Sequence, residues 1–373
     1  MMEMQCIRVL VVDDSTVVRR VVAKVLGDDP RIEVVGTAVN GKVALEKVEA
    51  LRPDVMTLDL EMPVMGGLET LVELRRRAPG LPVIVFSATD EAGAVGALAA
   101  LSAGASDYAT KPSQLARISD AVEALQQDLI PKILALYETA RRTKASATIR
   151  STPAASPLAA AAPRVLPAMS HASAPQIVAI GTSTGGPKAL QAILPDLPAS
   201  FPVPILVVQH MPATFTTTLA RSLDQRCRLR VQEAWEGAEI RPGEIWIAPG
   251  DYHMTVERTA AGGRLHLDQG PKECSCRPSV DPLFRSVAKA YGPRALALVL
   301  TGMGSDGLEG ARALHQSGAR IAVQDEATSV VWGMPGVVAN AKLAAQVLPQ
   351  SEIASFLERS VATRPARGSE LGR

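Results

Sequence analysis

Short apolar, β-branched runs alternate along this chain with amphipathic stretches of helical length, and the alternation occurs twice. In the first part, Ile7 to Val12, Glu33 to Ala38, Val55 to Asp59, Pro82 to Ser87 and a short piece near Asp107 read as strands. Helical patterns lie between them, and a last one runs from Ser113 to about Glu138. Five strands separated by single helices predict a parallel, doubly wound sheet. From Ile177 onward, runs near Ile177 to Ile180, Pro204 to Gln209, Leu296 to Leu300 and Arg320 to Gln324 are each followed by a helical pattern. Between Arg230 and Leu267, the runs Glu244 to Ala248 and Met254 to Arg258 look antiparallel. The expected architecture is α/β: two doubly wound parallel-sheet domains, the second with a β-rich insertion. No internal repeat links the halves.

Composition explains what joins them. From Thr139 to Gln176 there are twelve Ala, five Pro and five Lys/Arg, and no Asp, Glu, Gly or aromatic residue, so the stretch has little to bury and reads as a linker. The expected domains are residues 1–138 and 177–360, with a tail over 361–373. The 373 residues carry 39 Lys+Arg against 38 Asp+Glu. Divided at the linker, 14 basic against 20 acidic residues give −6, the linker gives +5, and 20 against 18 give +2. A content of 47% hydrophobic and 21% charged residues supports real cores and excludes wholesale disorder. No apolar run is long enough to span a bilayer, and Met1-Met2-Glu3-Met4-Gln5 lacks the order of a signal peptide, so no membrane insertion and a cytoplasmic location are expected. Four cysteines, at 6, 227, 274 and 276, are too few and too unevenly spaced for a disulfide scaffold. Aromatics at 3% argue against base-stacking surfaces for nucleic acid.

Chemistry in open α/β sheets gathers beyond the carboxyl ends of the strands. In the first part Asp13 and Asp14 follow the first strand, Asp59 ends the third, Ser87 ends the fourth, and Lys111-Pro112 follow the fifth. Three carboxylates at one edge repel unless a cation sits among them, and hard oxygen ligands suit Mg²⁺. Asp59 can then act as nucleophile toward a phosphoryl donor, with Lys111 neutralising the transferred group. Through Val11-Val12-Asp13-Asp14-Ser15, Leu58-Asp59-Leu60-Glu61-Met62-Pro63, Ser87-Ala88 and Lys111-Pro112, this part resembles the receiver domain of two-component response regulators. The resemblance implies a flavodoxin-like fold and a cognate histidine kinase. It also implies Asp59 as phosphoacceptor, Asp13 and Asp14 with the Glu61 carbonyl as Mg²⁺ sites, and Ser87, Tyr108 and Lys111 as the switch.

The second part offers three motifs. Gly181-Thr182-Ser183-Thr184-Gly185 is a G-x-S-x-G match between a strand and a helix that Pro187 can open. A phosphate-binding loop is disfavoured there, because Pro187 precedes Lys188 and Ala189 offers no hydroxyl. Gln209-His210-Met211-Pro212 follows an apolar strand. His210 is the one histidine at a probable parallel-strand end and the best general base for Ser183, whereas His171, His253, His266 and His315 lie in the linker, the insertion or a helical stretch. Gly302-x-Gly304-x-x-Gly307 formally matches a dinucleotide fingerprint, with Asp325 after the next strand. Asp306 beside a pyrophosphate and too little chain for a second mononucleotide-binding half argue against it. A triad uses that carboxylate instead: Asp306 fixes the tautomer of His210, and an N–H near Met303 helps hold an oxyanion.

Through Ile180 to Pro187, Gln209 to Pro212, Ile247 to Asp251 and Leu300 to Gly307, the second part resembles the catalytic domain of chemotaxis protein-glutamate methylesterase/glutaminases, the CheB family. The resemblance implies a Rossmann-like domain with Ser183, His210 and Asp306 as triad and Thr184 and Met303 beside the nucleophile, with no cofactor in that domain. The implied substrates are glutamyl methyl esters and particular glutamines of methyl-accepting chemoreceptors. Thr182 stands where a small Ala is common. The rival readings are a small-molecule esterase or amidase and a DNA-binding response regulator, the latter disfavoured by the +2 charge and the length of the second part. Cys274-Ser275-Cys276 with Cys227 and a histidine is a weak zinc pattern, and Arg226, Arg228 and Arg230 read as a solvated face.

Overall fold

A computed structural model of the chain describes residues 6–111, 118–149, 174–260 and 262–362. The N-terminal unit runs β1 (Ile7–Val12), α1 (Thr16–Gly27), β2 (Ile32–Ala38), α2 (Gly41–Leu51), β3 (Val55–Asp59), α3 (Gly67–Arg77), β4 (Val83–Ser87), α4 (Glu91–Ser102), β5 (Asp107–Thr110) and α5 (Ile118–Ile149). Its strands pair in parallel in the order β2-β1-β3-β4-β5, the flavodoxin-like order with its switch point between β1 and β3. Strands β3 and β4 are buried throughout, as runs covered on both faces must be. Ser15, Asn40 and Asp90 cap α1, α2 and α4 by accepting from main-chain N–H groups.

Helix α5 differs from expectation. It continues past Glu138 to Ile149, so the first residues of the predicted linker are helical. The same alanine-rich composition that leaves little to bury carries the strongest helix propensity. The Ala/Pro-rich stretch beyond it, to residue 173, lies outside the described residues, as do Pro112, Ser113 and the tail from 363.

The C-terminal unit runs β6 (Ile177–Thr182), α6 (Gly186–Ile193), β7 (Ile205–Gln209), α7 (Ala213–Asp224), β8 (Arg230–Glu233), β9 (Glu239–Ile240), β10 (Glu244–Ile247), β11 (His253–Thr259), β12 (Gly262–Asp268), α8 (Val280–Tyr291), β13 (Ala295–Val299), α9 (Leu308–Gln316), β14 (Arg320–Gln324), α10 (Met334–Asn340), β15 (Gln346–Leu348) and α11 (Gln350–Val361). Seven strands form one parallel sheet in the order β15-β14-β13-β6-β7-β10-β8. The antiparallel insertion is smaller than expected, comprising β11, β12 and β9. Glu244–Ile247, expected there, instead pairs in parallel between β7 and β8, because its Ile-Trp-Ile run is buried on both faces. The connections leave β6 and β13 in opposite directions, which makes their carboxyl edge the switch point of the sheet.

One apolar cluster runs unbroken across the two units, joining Leu98, Leu101 and Tyr108 to Leu190, Phe215 and Leu219. This accounts for the composition of α4, which is apolar nearly all round because it is covered by its own sheet on one side and by α6 and α7 on the other. Among the described residues no helix is long and apolar enough to cross a membrane.

Candidate active site

At the carboxyl edge of the N-terminal sheet, Asp13 and Asp59 are buried and Asp14 exposed, and the three present oxygens within 4.8 Å of one another. Lys111 Nζ lies 2.7 Å from Asp59 Oδ1 and 3.8 Å from Asp13 Oδ2. Asp13 Oδ1 accepts from the Ser15 amide, and Asp59 Oδ1 from the Glu61 amide. Their second oxygens, Asp13 Oδ2 and Asp59 Oδ2, have no hydrogen-bond partner although buried. Burial and the neighbouring Asp59 charge push the Asp13 carboxyl up to about 6, more than Lys111 pulls it down. Orphaned carboxylate oxygens aimed at one point fit a hard divalent cation. Ser87 lies alongside, but its hydroxyl donates to the Gly93 and Ala88 carbonyls.

Tyr108 points away from that edge. Its ring stacks on Phe215 of α7 with centroids 4.7 Å apart and planes 15° from parallel. Lys132 of α5 lies 5.2 Å from the Tyr108 ring centre, donates to the Tyr108 carbonyl and pairs with Asp128. Asp107 is fully buried, its pKa raised chiefly by that burial, and the Thr184 hydroxyl faces it from the other unit. Glu91 with Arg221, Ser102 with Gln191 and Arg142 with Glu326 add to the contact.

The second site forms at the switch point. Thr182 is in register with Gln209, so the residues just beyond, Ser183 and His210, stand side by side at the ends of β6 and β7. Gln209 fixes them, its Nε2 donating to the carbonyls of both Ser183 (3.0 Å) and His210 (3.2 Å). A Cβ on Gly186 would lie 2.0 Å from Gln209 Oε1, so only glycine admits this arrangement. The Gly186 amide in turn donates to the Ser183 carbonyl and closes the Ser183 turn at the start of α6. From β13, the Thr301 carbonyl accepts from the Ser183 amide, and Gly302 lies so close that an added Cβ would be 2.9 Å from Ser183 Cβ. Neither the Thr184 nor the Met303 amide donates to any acceptor among the described residues, which leaves both available to an oxyanion.

His210 Nε2 lies 2.7 Å from Asp306 Oδ2. Asp306 also accepts from the Ser279 hydroxyl (2.7 Å) and from the amides of Val280 (2.7 Å), Asp281 (3.1 Å) and Gly307 (2.8 Å). Two of these amides belong to the first turn of α8, where a negative charge is favoured. Burial alone would raise the Asp306 pKa, but the His210 contact and these donors hold it below the ordinary value. His210 is the counterpart. Burial favours its neutral form, yet Asp306 and the Cys276 thiol raise its pKa to about 9. Cys276 Sγ stands 3.5 Å from His210 Nδ1, and among the described residues the Ser183 hydroxyl makes no hydrogen bond to the ring. The expected residues are therefore gathered, with the His–Asp link closed and the Ser–His link open.

Sequence reasoning did not find Ser279 or the place of Cys276. A signal for Ser279 existed in Pro278-Ser279-Val280-Asp281, a helix-start pattern before an amphipathic run. The zinc pattern does not assemble as expected. Cys227 packs against the apolar cluster, and burial pushes its thiol up to about 11. Cys274 shares a cluster with Asp281 and Asp306, but both Asp306 oxygens are taken up by the donors above. His253 is a structural hydrogen-bonder to Pro271 and Ser279, and His266 an exposed partner of Glu236 and Glu257.

Known proteins resemble both units. The response regulator receiver domain family matches residues 9–123, and the CheB methylesterase family matches residues 178–357. A protein-glutamate methylesterase/protein-glutamine glutaminase of Nocardioides sp. is 48% identical over 361 residues, covering 96% of this chain and 97% of its own length. One from Trichodesmium erythraeum is 46% identical over 354 residues, covering 95% and 99%. The crystal structure of the Thermotoga maritima CheB methylesterase catalytic domain is 42% identical, covers 50% of this chain and 99% of that chain, and superposes with a TM-score of 0.49. Nearly half the residues are thus shared along almost the full length of these proteins, and the chain belongs to the protein-glutamate methylesterase/protein-glutamine glutaminase family.

Proposed function

We propose that the C-terminal domain hydrolyses γ-glutamyl methyl esters, and deamidates particular glutamines, on methyl-accepting chemoreceptors, with Ser183, His210 and Asp306 as catalytic residues. The observation that carries this reading is the His210–Asp306 pair set at a sheet switch point beside the Ser183 turn. His210 Nδ1 accepts the Ser183 proton as the hydroxyl attacks the ester carbonyl, while Nε2–H stays on Asp306, which stabilises the imidazolium. The Thr184 and Met303 amides meet the oxyanion. His210 then returns the proton to the leaving methanol, or to ammonia from glutamine, and water resolves the glutamyl-enzyme. Methanol release from methylated receptor membranes tests this. Ser183→Ala is expected to lower turnover by about 10⁶, since triad members act as a unit, and near-normal release would overturn the assignment.

The receiver is read as a phosphorylation switch. A cognate histidine kinase supplies the phosphoryl group, Asp59 accepts it, and Lys111 neutralises it. Asp13, Asp14, Asp59 and the Glu61 carbonyl would hold Mg²⁺, which supplies charge neutralisation for the transfer. The unmodified receiver stands over the catalytic edge, where a cavity of about 510 Å³ is lined jointly by Tyr108 and Lys132 from one domain and His210 and Arg277 from the other. Phosphorylation biases the domains apart, with Tyr108, Ser87 and Lys111 as the switch residues. Equal esterase rates with and without phosphodonor would rule this out.

A further inference from the structure

Hydrolysis through Ser183 leaves one nucleophile of this site unused. Cys276 Sγ, His210 Nδ1 and Nε2, and Asp306 Oδ2 stand in series, separated by 3.5 and 2.7 Å. Thiol, imidazole and carboxylate in that order let the imidazole take the proton as the sulfur attacks, while the carboxylate steadies the imidazolium. The raised pKa of His210, to which Cys276 contributes after Asp306, agrees with such a pairing.

The thiol is held in place by its backbone. Glu273 and Cys276 exchange two main-chain hydrogen bonds across a two-residue turn, and both central residues, Cys274 (φ 49) and Ser275 (φ 63), are left-handed. That turn favours glycine or asparagine, so two other residues there need outside support. Arg285 grips Glu273 through two nitrogens, at 2.9 and 2.6 Å, and Asp251 grips Arg277 at 3.0 and 2.6 Å. Cys276 also lines the 510 Å³ cavity, so small reagents can reach it.

We propose that Cys276 is a covalent modification site, a thiol that His210 activates toward hydroperoxides and soft electrophiles and whose modification stops ester hydrolysis. With a hydroperoxide ROOH, the neutral form of His210 takes the thiol proton at Nδ1 and the sulfur attacks the outer oxygen. The S–O bond forms as the O–O bond breaks, sulfur is oxidised by two electrons, and the peroxide is reduced to ROH with the proton from His210. The product, a sulfenic acid, sets an oxygen against the nitrogen that must serve Ser183. The loss of activity rests on the reading of His210 as general base, whereas the thiol reactivity does not.

The remaining cysteines are internal controls. Cys274 is more exposed than Cys276, but burial and the Asp306 and Asp281 charges raise its pKa, and Cys227 is pushed up further. In the reduced full-length protein at pH 7, site-resolved mass spectrometry with iodoacetamide is expected to show Cys276 alkylated at least about tenfold faster than Cys274, with the advantage lost in His210→Asn. Equal rates, or a rate unchanged in that variant, would overturn the proposal. Dilute hydrogen peroxide is expected to add one oxygen at Cys276 and abolish methanol release, dithiothreitol to restore it, and Cys276→Ser to keep its own starting activity under the same treatment. Peroxide sensitivity undiminished in Cys276→Ser would equally refute it. Full methanol release by Ser183→Ala would sink the hydrolase reading while leaving the alkylation result standing.

Discussion

Replacing Asp306 with asparagine tests the active site at its most constrained group. Oδ2 receives His210 Nε2 and the Val280 amide, and Oδ1 receives the Ser279 hydroxyl and the Asp281 and Gly307 amides. Asparagine offers one oxygen and one NH₂. Placed at Oδ1, the NH₂ confronts two main-chain N–H groups that cannot turn away. Placed at Oδ2 it confronts one, Val280, and His210 can answer by giving up its Nε2 proton. Each orphaned buried N–H costs about 1–3 kcal/mol, so the second placement wins by about that amount. His210 then carries its proton on Nδ1, the nitrogen proposed to accept from Ser183. Turnover is expected to fall by about 10⁴, the cost of the wrong tautomer in a Ser-His-Asp protease. Unfolding stability is expected to drop by about 1–3 kcal/mol for the one orphaned amide. Methanol release, urea unfolding and ¹⁵N NMR of the imidazole read the three consequences separately. Activity above about a tenth of the parent, or a proton still on Nε2, would refute the reasoning.

With the His210 pKa raised to about 9, its neutral, proton-accepting form increases as pH rises, about tenfold per unit below that value. Thus kcat/KM for methyl-ester hydrolysis is expected to climb about 50-fold from pH 7 to 9 and to level about twofold higher above that, and a flat profile would contradict the assignment. Asp59→Asn is expected to abolish labelling by acetyl phosphate with Mg²⁺, and undiminished labelling would exclude Asp59 as the acceptor. Tyr108→Ala removes the stack on Phe215, worth about 0.5–1.5 kcal/mol beyond its buried area, so basal esterase activity without phosphodonor is expected to rise about two- to thirteenfold. An unchanged basal rate would separate the domain contact from control of the site.

The strands that carry the chemistry were legible because β6, β7 and β13 are uninterrupted apolar runs, each ending where a polar residue begins. Asp13, Asp59, Ser183, His210 and Asp306 were placed by that rule, and the structure gathers them at two sheet edges. Strand β10 was read as antiparallel because four residues carry too little pattern to reveal a partner, and its pairing with β7 and β8 is decided by burial of Trp246. The end of α5 was misplaced because a stretch without apolar periodicity can still be helical when rich in alanine. Ser279 and Cys276 were missed for another reason. They meet Asp306 and His210 across 27 and 66 residues of chain, and no local spacing encodes such a contact.

The donors that surround Asp306 have a consequence for how this protein tolerates sequence change. Three of them are main-chain amides, of Val280, Asp281 and Gly307, which no substitution except proline can delete. Only Ser279 and His210 contribute removable atoms. Saturation mutagenesis around the acid should therefore find its hydrogen bonds lost at those two positions and in changes, such as proline, that erase an amide hydrogen, whereas losses at Val280 and Gly307 come from the core packing of the one and the left-handed backbone (φ 89) of the other. Drift at exposed positions of α8, such as Lys289, can proceed without moving the charge that its first turn anchors.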